Sequence, residues 1–298
     1  MMQIGFIGLG HMGNPMVKRL LAAGFEVRIY DVNPSATQLL VLNGAKVASS
    51  LMDIAMHSDI IITMLQTGQQ VRDVCLDENG LFKHAKKNLL YIDSSSIEIK
   101  ITQELHDIAK QQGIAMIDAP VSGGVSGAQA GTLTFMVGGS EKSFIQAYPL
   151  LEKMGKKIVH AGEAGSGQAA KICNNLILGI SMIAVSEGFA LGKKLGLDPK
   201  KFFEISSHAS GQCWSMTSYC PVPGLVEASP ANHHYQPGFT TKMMLKDLHL
   251  AQQAAQQVGA VIPLGAEAAE LYSLFLTQGN GEIDFSAIIL MLSGESVD

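Results

Sequence analysis

A glycine-rich turn near the start of the chain constrains the fold more than any other feature. Residues Gly8–Gly13 read GLGHMG and match the pattern G-x-G-x-x-G. An apolar run, Met2–Ile7, precedes the turn, and a helical stretch, Met12–Ala23, follows it. Glu26–Tyr30 is a second apolar run, and Asp31 comes directly after it. This strand–turn–helix–strand context is what the glycine pattern requires in order to bind a dinucleotide.

Each glycine of the turn has its own expected purpose. The first allows a tight turn, the second lets a pyrophosphate approach the backbone, and the third lets the helix pack on the strand. The N-terminus of the helix then offers free N–H groups to the phosphates. The predicted cofactor-binding residues of the turn are Gly8, Leu9, Gly10, His11, Met12 and Gly13.

Asp31 bears on the choice between the two nicotinamide cofactors. A carboxylate at the end of this strand can accept a hydrogen bond from the ribose 2′-hydroxyl, whereas it would repel a 2′-phosphate. The residues after it are Val32, Asn33 and Pro34, so no arginine stands directly beside it. The sequence therefore favours NAD over NADP.

Apolar strands and amphipathic helices alternate as far as about residue 164. The further predicted strands are Ser58–Met64, Leu89–Ile92, Ala115–Asp118, Thr132–Gly138 and Lys157–Ala161. The helices between them are Ser35–Asn43, Gln69–Cys75, Ile97–Gln111 and Ser143–Met154. Such alternation, with strands rich in Ile and Val, indicates a parallel sheet covered on both faces. We expect a Rossmann-type, doubly wound α/β domain over residues 1–164.

The pattern changes after Gly165, where only helices are predicted. They are Gly167–Leu195, Pro199–Ser207, Thr241–Val258, Pro263–Gln278 and a short one near Asp284–Leu292. We therefore expect an all-α domain over residues 165–298, entered by a long interdomain helix. Hydrophobic residues make up 47% of the chain and charged residues only 16%, which indicates a large buried core.

Charge and cysteine usage argue against several kinds of partner. The formal net charge is −5 without a basic run, which argues against nucleic acid. The 4 cysteines form no CxxC pair, and His233 and His234 point apart on a regular element, so we expect no metal site.

The most apolar run, Leu176–Val185, is interpreted as a buried helix too short to span a bilayer. With no targeting peptide visible, we expect a soluble, cytoplasmic protein without a membrane partner.

Two later segments carry polar residues in positions suited to a ligand. The segment from Asp118 to Gly124 reads DAPVSGG and follows a strand, where open α/β sheets bind ligands, although an ordinary turn is an equal alternative. The segment from Gly165 to Asn175 reads GSGQAAKICNN and opens the long helix. Lys171 and Asn175 are four residues apart, so their side chains share a face. An isolated lysine more often reaches the surface, but these neighbours favour a catalytic role.

Taken together, these motifs resemble those of the β-hydroxyacid dehydrogenase family over essentially the full length. The order GFIGLGHMGNPM, DAPVSGG, GSGQAAKICNN and KDL matches the family pattern. The segment from Ser210 to Ser215, SGQCWS, with Tyr219 and the PVPG sequence after it, is similar to the 3-hydroxyisobutyrate dehydrogenase subgroup, as is LTFMVGG.

The resemblance implies a role for each matching residue. Lys171 would be the catalytic acid/base, assisted by Asn175. The substrate-binding residues would be Ser122, Gly123, Gly124 and Asp247, and Trp214 would either wall the substrate pocket or pack in the core. The remaining cofactor-binding residues would be Leu65, Gln66, Gln70, Ser96 and Lys246. Two of these depart from the family pattern, because Gln66 replaces the usual Pro and Ser96 a common Thr.

The resemblance also implies a reaction. The enzyme would oxidise 3-hydroxyisobutyrate to methylmalonate semialdehyde with NAD, as in the valine branch of branched-chain amino acid catabolism. Burial and a cationic nicotinamide would favour the neutral amine of Lys171, which can accept the hydroxyl proton. A homodimer or homotetramer built through the helical domain is also implied. The alternatives are a sister reductase of tartronate or succinic semialdehyde and a non-catalytic NAD-binding sensor.

Overall fold

The N-terminal part of the molecule alternates strands and helices. The structure of the whole chain is a computed structural model, and it describes residues 2–295. The strands of the N-terminal part are β1 (Gln3–Ile7), β2 (Glu26–Tyr30), β3 (Lys46–Val47), β4 (Ile60–Thr63), β5 (Leu90–Asp93), β6 (Ala115–Asp118), β7 (Val121–Ser122), β8 (Leu133–Gly139) and β9 (Gly155–Gly162). Its helices are α1 (Gly13–Ala22), α2 (Ser35–Leu42), α3 (Leu51–His57), α4 (Gly68–Leu76), α5 (Leu81–His84), α6 (Ile99–Gln111), α7 (Gly124–Ala130) and α8 (Glu141–Leu151).

The strands form one sheet in the order β3-β2-β1-β4-β5-β6-β8-β7, with β9 paired to β8. All pairings from β3 to β6 are parallel. This order of six strands is that of the dinucleotide-binding Rossmann fold. The predicted doubly wound α/β domain is therefore confirmed.

The sheet is covered on both faces because successive strand residues point to opposite sides. In β4, Ile60 and Ile62 belong to one apolar cluster, whereas Ile61 belongs to another. The same alternation separates Ile92 from Tyr91 in β5. The apolar strands are therefore buried on both faces of the sheet, and one layer of helices covers each face.

Beyond β6 the sheet departs from the prediction of a wholly parallel sheet. Strand β8 pairs antiparallel to β6 and to β7, whereas β9 pairs parallel to β8. The chain reverses within the short β7 and the helix α7, neither of which is predicted from the sequence. A glycine-rich sequence, GVSGAQA, forms α7. Because glycine disfavours helices, local propensity gave no signal there.

The C-terminal part is helical, as predicted. A long helix, α9 (Ser166–Lys194), is followed by α10 (Pro199–Ser206), α11 (Trp214–Thr217), α12 (Thr241–Val258), α13 (Pro263–Phe275) and α14 (Ile288–Ser293). Short 3-10 turns lie at Pro230–His233 and Phe285–Ala287, and a π-helical turn at Leu276–Asn280 follows α13. Large side chains that include Met182, Met244, Tyr272 and Phe285 form one core in this part.

Contacts between Cα atoms divide the chain into two compact units. The N-terminal unit extends to Lys171 and the C-terminal unit begins at Ile172, so the division falls inside α9. The domain boundary predicted between residues 164 and 165 stays a prediction.

Helix α9 corrects one expectation about membranes. It has 29 residues and is, by length and composition, the one helix within residues 2–295 that is long and apolar enough to cross a bilayer. The prediction that Leu176–Val185 is too short to span a bilayer is therefore wrong as an argument from length. The apolar character continues along the helix beyond that run. Within its most apolar window, 44% of the residues are buried in the fold. Core helices of soluble proteins have the same length and composition.

Candidate active site

The glycine turn joins β1 to α1 at the carboxyl edge of the sheet. Gly8 has φ +92°, a conformation that favours glycine. A Cβ on Gly13 would collide with the carbonyl oxygen of Gly8, whereas a Cβ on Gly10 would meet nothing within 4 Å. The first and third glycines are thus required by the fold, and the open space at the second is what an approaching pyrophosphate needs. The turn fits the cofactor that its sequence predicts.

Asp31 is tied to this turn. The backbone N–H of Leu9 donates to Asp31 Oδ2 at 2.7 Å, and the N–H of Asn33 donates to Asp31 Oδ1 at 2.8 Å. Each carboxylate oxygen has a second lone pair, so the group can still accept from a ribose hydroxyl. Its negative charge would oppose a 2′-phosphate, which is consistent with the predicted preference for NAD.

The loops after β4 and β5 lie at the same edge of the sheet, because parallel strands end there together. The N–H of Leu65 donates to Ser95 Oγ at 2.9 Å, which joins the two loops. The N–H of Gln66 donates to Gln70 Oε1 at 3.1 Å, and Thr67 caps α4. Gln66 and Gln70 are exposed and Ser96 is partly exposed. Their cofactor roles stay predictions.

Asp93 is a buried carboxyl beneath these loops that sequence reasoning did not single out. It is fully buried, and burial raises its pKa to about 6 although hydrogen bonds from Ser95 and Thr63 lower it. Its Oδ1 accepts from Thr63 Oγ1 at 2.9 Å and from the N–H of Ser95 at 3.1 Å. Asp93 therefore connects the ends of β4 and β5.

The DAPVSGG segment forms regular structure. Val121 and Ser122 make up β7, and α7 begins at Gly124. Gly123 and Gly124 have φ of 130° and 62°, which favour glycine. Ser122 is partly exposed. The segment is thus a strand followed by a helix, and the assignment of Ser122, Gly123 and Gly124 to substrate binding stays a prediction.

Lys171 lies in the second turn of α9. It is 9% exposed, so it does not extend freely into solvent as an isolated surface lysine would. Asn175 lies one turn further along the same helix and is 1% exposed. A buried lysine is rare in proteins unless it has partners or a function, so this burial does not fit the surface alternative. The catalytic role of Lys171 stays a prediction.

In the C-terminal unit, Asn175 is held by an acidic residue of α12. Its amide Nδ2 donates a short hydrogen bond to Asp247 Oδ2. Asp247 is 4% exposed, and its Oδ1 lies 3.3 Å from Lys246 Nζ. Three of the predicted residues, Asn175, Lys246 and Asp247, are therefore brought together by α9 and α12.

Trp214 opens α11, where it is 49% exposed. This exposure does not fit the alternative of a packed core residue. Its ring stacks on Tyr219 with centroids 4.9 Å apart, and Tyr219 donates through its hydroxyl to Asp284 at 2.9 Å. Whether Trp214 binds substrate stays a prediction.

The described part of the chain holds no group of three or more His, Cys, Asp or Glu residues arranged to bind a metal ion. Cys75 and Cys220 are buried thiols, whereas Cys173 is exposed and Cys213 is partly exposed. Burial raises the pKa of Cys220 to about 11, which disfavours its reactive thiolate form.

Sequence and structural comparisons agree with this geometry. Residues 3–162 match the family model described as the NAD-binding domain of 6-phosphogluconate dehydrogenase. Residues 165–292 match the model described as NAD-binding of NADP-dependent 3-hydroxyisobutyrate dehydrogenase. The strand order, the glycine turn and these matches define an NAD-dependent oxidoreductase with a helical C-terminal part.

Three relatives place the chain more narrowly. A probable mitochondrial 3-hydroxyisobutyrate dehydrogenase of Dictyostelium discoideum is 46% identical over 96% of this chain and 89% of its own length. An NAD-dependent L-serine dehydrogenase of Pseudomonas aeruginosa is 46% identical over 97% of both chains. A solved structure of the Mycobacterium tuberculosis 3-hydroxyisobutyrate dehydrogenase with L-serine superposes with a TM-score of 0.92 at 45% identity, covering 98% of this chain and 99% of that one. The chain belongs to the 3-hydroxyisobutyrate dehydrogenase family.

Proposed function

We propose that the enzyme oxidises (S)-3-hydroxyisobutyrate to methylmalonate semialdehyde, with NAD as the hydride acceptor and Lys171 as the acid/base. The burial of Lys171, one helical turn from Asn175, is the observation that carries this proposal. An ionisable side chain buried on the helix that follows a dinucleotide-binding unit is a candidate for proton transfer.

The oxidation removes a hydride from C3 of the substrate and a proton from its hydroxyl. Bound NAD supplies the hydride acceptor. The neutral amine of Lys171 takes the hydroxyl proton, and the resulting ammonium later releases it to solvent. In the reverse direction the ammonium protonates the alkoxide that forms when the semialdehyde is reduced.

The other proposed residues orient the substrate. Asn175 is a neutral donor whose amide direction is fixed by Asp247, so it can bind a substrate oxygen without adding a charge next to Lys171. Ser122 and the backbone N–H groups of Gly123 and Gly124 are assigned to the substrate carboxylate, and Trp214 to its apolar part. Lys246 is assigned to the nicotinamide side.

L-serine is a second candidate substrate, because two of the similar proteins are described with it. One is the L-serine dehydrogenase of Pseudomonas aeruginosa, and the other is the solved structure of the Mycobacterium tuberculosis enzyme. L-serine is also a β-hydroxy acid, so the same proton transfer applies. The sister reductases of tartronate and succinic semialdehyde remain alternatives for the same reason.

The cellular setting is proposed with the substrate. Oxidation of 3-hydroxyisobutyrate places the enzyme in valine breakdown, and the exposed Ile177 and Leu191 of α9 are compatible with a homodimer or homotetramer. The relatives include proteins named as mitochondrial and proteins of bacteria. A cytoplasmic location without a membrane partner stays a prediction.

The test is a measurement of initial rates of NADH formation with purified enzyme. The substrates are (S)- and (R)-3-hydroxyisobutyrate, L-serine, D-glycerate and 4-hydroxybutyrate, each with NAD and with NADP. We expect a kcat/KM for (S)-3-hydroxyisobutyrate with NAD that exceeds the others by about tenfold or more. A preference for L-serine or D-glycerate would replace the substrate but keep the chemistry. The absence of turnover across the panel would contradict the proposed function and favour an NAD-binding sensor.

A further inference from the structure

The first turn of α9 is capped by an acidic residue from the sheet. Asp118 ends β6 and is fully buried. Its Oδ1 accepts from the N–H of Gly165 at 2.9 Å, and its Oδ2 accepts from the N–H of Gln168 at 3.0 Å. These N–H groups have no partner within the helix, and a carboxylate also complements the positive end of the helix dipole. The start of α9 is therefore fixed on β6.

The side chain of Gln168 attaches the same turn to the loop after β5. Gln168 is fully buried, and its amide makes two hydrogen bonds to the backbone. Oε1 accepts from the N–H of Ile97 at 3.2 Å, and Nε2 donates to the carbonyl oxygen of Ser95 at 2.7 Å. Both bonds are needed, because a buried backbone polar group without a partner is unfavourable.

Ser95 extends this connection to the second cofactor loop. Its Oγ accepts from the N–H of Leu65, and its own N–H donates to Asp93. A continuous set of hydrogen bonds therefore runs from Gln168 through Ser95 to the loops that carry Leu65 and Ser96. The segment that holds Lys171 and these two loops are joined within the N-terminal unit.

The packing around this turn leaves little room for movement. A Cβ on Gly167 would lie 2.7 Å from Asp118 Oδ2, and a Cβ on Gly138 would lie 2.6 Å from Asp118 Oδ1. The backbone of α9 therefore approaches the carboxylate as closely as glycine allows. Such a close approach limits both rotation and translation of the first turn.

We propose that Gln168 and Asp118 are positioning residues, which fix Lys171 relative to the loops after β4 and β5. This inference rests on the proposed function. Lys171 follows Gln168 by three residues in a regular helix, so a shift of the first turn moves Lys171 with it. Misplacement of a reacting group by about 1 Å lowers a rate by about 100-fold.

The test is a double-mutant cycle between Gln168 and Lys171. Gln168→Glu keeps an oxygen for the N–H of Ile97 but replaces the donor that faces the carbonyl of Ser95. The rates are measured with (S)-3-hydroxyisobutyrate and L-serine, in the parent enzyme and in Lys171→Ala supplied with methylamine as an external base. Gln111→Glu, at the exposed end of α6, is the matched control.

If Gln168 acts through Lys171, Gln168→Glu lowers kcat by about 10- to 100-fold in the parent enzyme and by less than about twofold in the Lys171→Ala background. A merely structural role would lower both rates by the same factor. If Gln168→Glu does not fold, Gln168→Met, which removes both bonds, is measured in the same way.

Equal losses in the two backgrounds, or an unchanged kcat in the parent, would overturn the inference while leaving the proposed function intact. A parent enzyme without turnover on either substrate would overturn the proposed function and this inference with it.

Discussion

The amide of Asn175 donates a hydrogen bond to the carboxylate of Asp247, which lies 72 residues later in the chain. Both side chains are buried, so removal of either one leaves a polar group without its partner. We expect Asn175→Ala and Asp247→Ala each to lower the free energy of unfolding by about 1–3 kcal/mol. The double variant should show a coupling of about 0.5–3 kcal/mol in chemical unfolding. Glu187→Ala, exposed on the same helix, is the control and should not couple to Asp247→Ala. Strict additivity of the Asn175 and Asp247 changes would contradict the observed bond.

Replacement of Lys171 separates chemistry from cofactor binding. We expect Lys171→Ala to lower kcat by about 100- to 10,000-fold, because the variant lacks the amine that is proposed to accept the hydroxyl proton. The Kd for NADH, measured by fluorescence titration, should remain close to that of the parent enzyme. Lys142→Ala, on the exposed face of α8, is the control for loss of a positive charge. A kcat near that of the parent enzyme would end the assignment of Lys171 as the acid/base.

The glycines of the turn are expected to respond differently to the same substitution. Gly10→Ala places its methyl group in open space, so the unfolding midpoint should change little while the Kd for NAD rises about tenfold or more. Gly13→Ala forces a methyl group against the carbonyl of Gly8 and should lower the free energy of unfolding by about 1–3 kcal/mol. Thermal unfolding and NAD titration of both variants provide the comparison. If Gly10→Ala binds NAD normally, the pyrophosphate does not approach at this position.

Asp31 is expected to set the preference between the two cofactors. Asp31→Ser combined with Val32→Arg removes the carboxylate and adds a cation at a residue that is 89% exposed. The ratio of kcat/KM for NAD to that for NADP should fall by about tenfold or more, because a 2′-phosphate is no longer repelled. Val32→Arg alone, which keeps the carboxylate, is the control. An unchanged ratio in the double variant would refute the ribose role of Asp31.

The buried carboxyl of Asp93 gives a pH dependence with a defined sign. Burial raises its pKa from 3.8 to about 6, so between these values the folded state holds a proton that the unfolded state has released. Stability from this group is therefore fully present below about pH 4 and is lost as the pH rises to about 6. The shift corresponds to a loss on the order of 3 kcal/mol.

Asp93→Asn tests this dependence, because an amide does not titrate and its oxygen can still accept from Thr63 and Ser95. The difference in unfolding free energy between the parent and the variant should change between about pH 4 and pH 7 in the variant's favour. Urea unfolding at several pH values is the measurement. A difference that stays constant over this range would show that Asp93 does not hold a proton in the folded state.

Three elements have clear limits in the sequence, because turn or cap residues flank each of them. Glu26–Tyr30, Ala115–Asp118 and Thr241–Val258 are observed with the predicted bounds. Helix α3 is not predicted, although Ser50 caps it, because its seven residues make only two turns and show no clear helical period. Strand β3 is not predicted because it has only two residues, Lys46 and Val47, which are too few to show an alternating pattern.

The site was predictable where a local motif contains its own physical requirement. The glycine turn is of this kind. Its spacing and its flanking strands predict that Gly8 and Gly13 are needed for close packing and that the space beside Gly10 is open. The roles of Asp118 and Gln168 were not predictable, although both lie inside the DAPVSGG and GSGQAAKICNN motifs. Their partners are distant in the chain, and only the folded backbone brings the N–H of Ile97 to Gln168. A hydrogen bond between residues so far apart in the chain produces no repeating pattern that a single sequence could show.

The bond from the N–H of Leu9 to Asp31 has an evolutionary consequence. The carboxylate that we expect to select against a 2′-phosphate also accepts a hydrogen bond from the backbone of the glycine turn without any bound nucleotide. Replacement of Asp31 during evolution would also remove its hydrogen bond to the N–H of Leu9. We expect the glycine turn to be less ordered in such a protein until a nucleotide binds. If Asp31 has both roles, we expect a change of cofactor preference to need a second substitution that replaces its hydrogen bond to the turn.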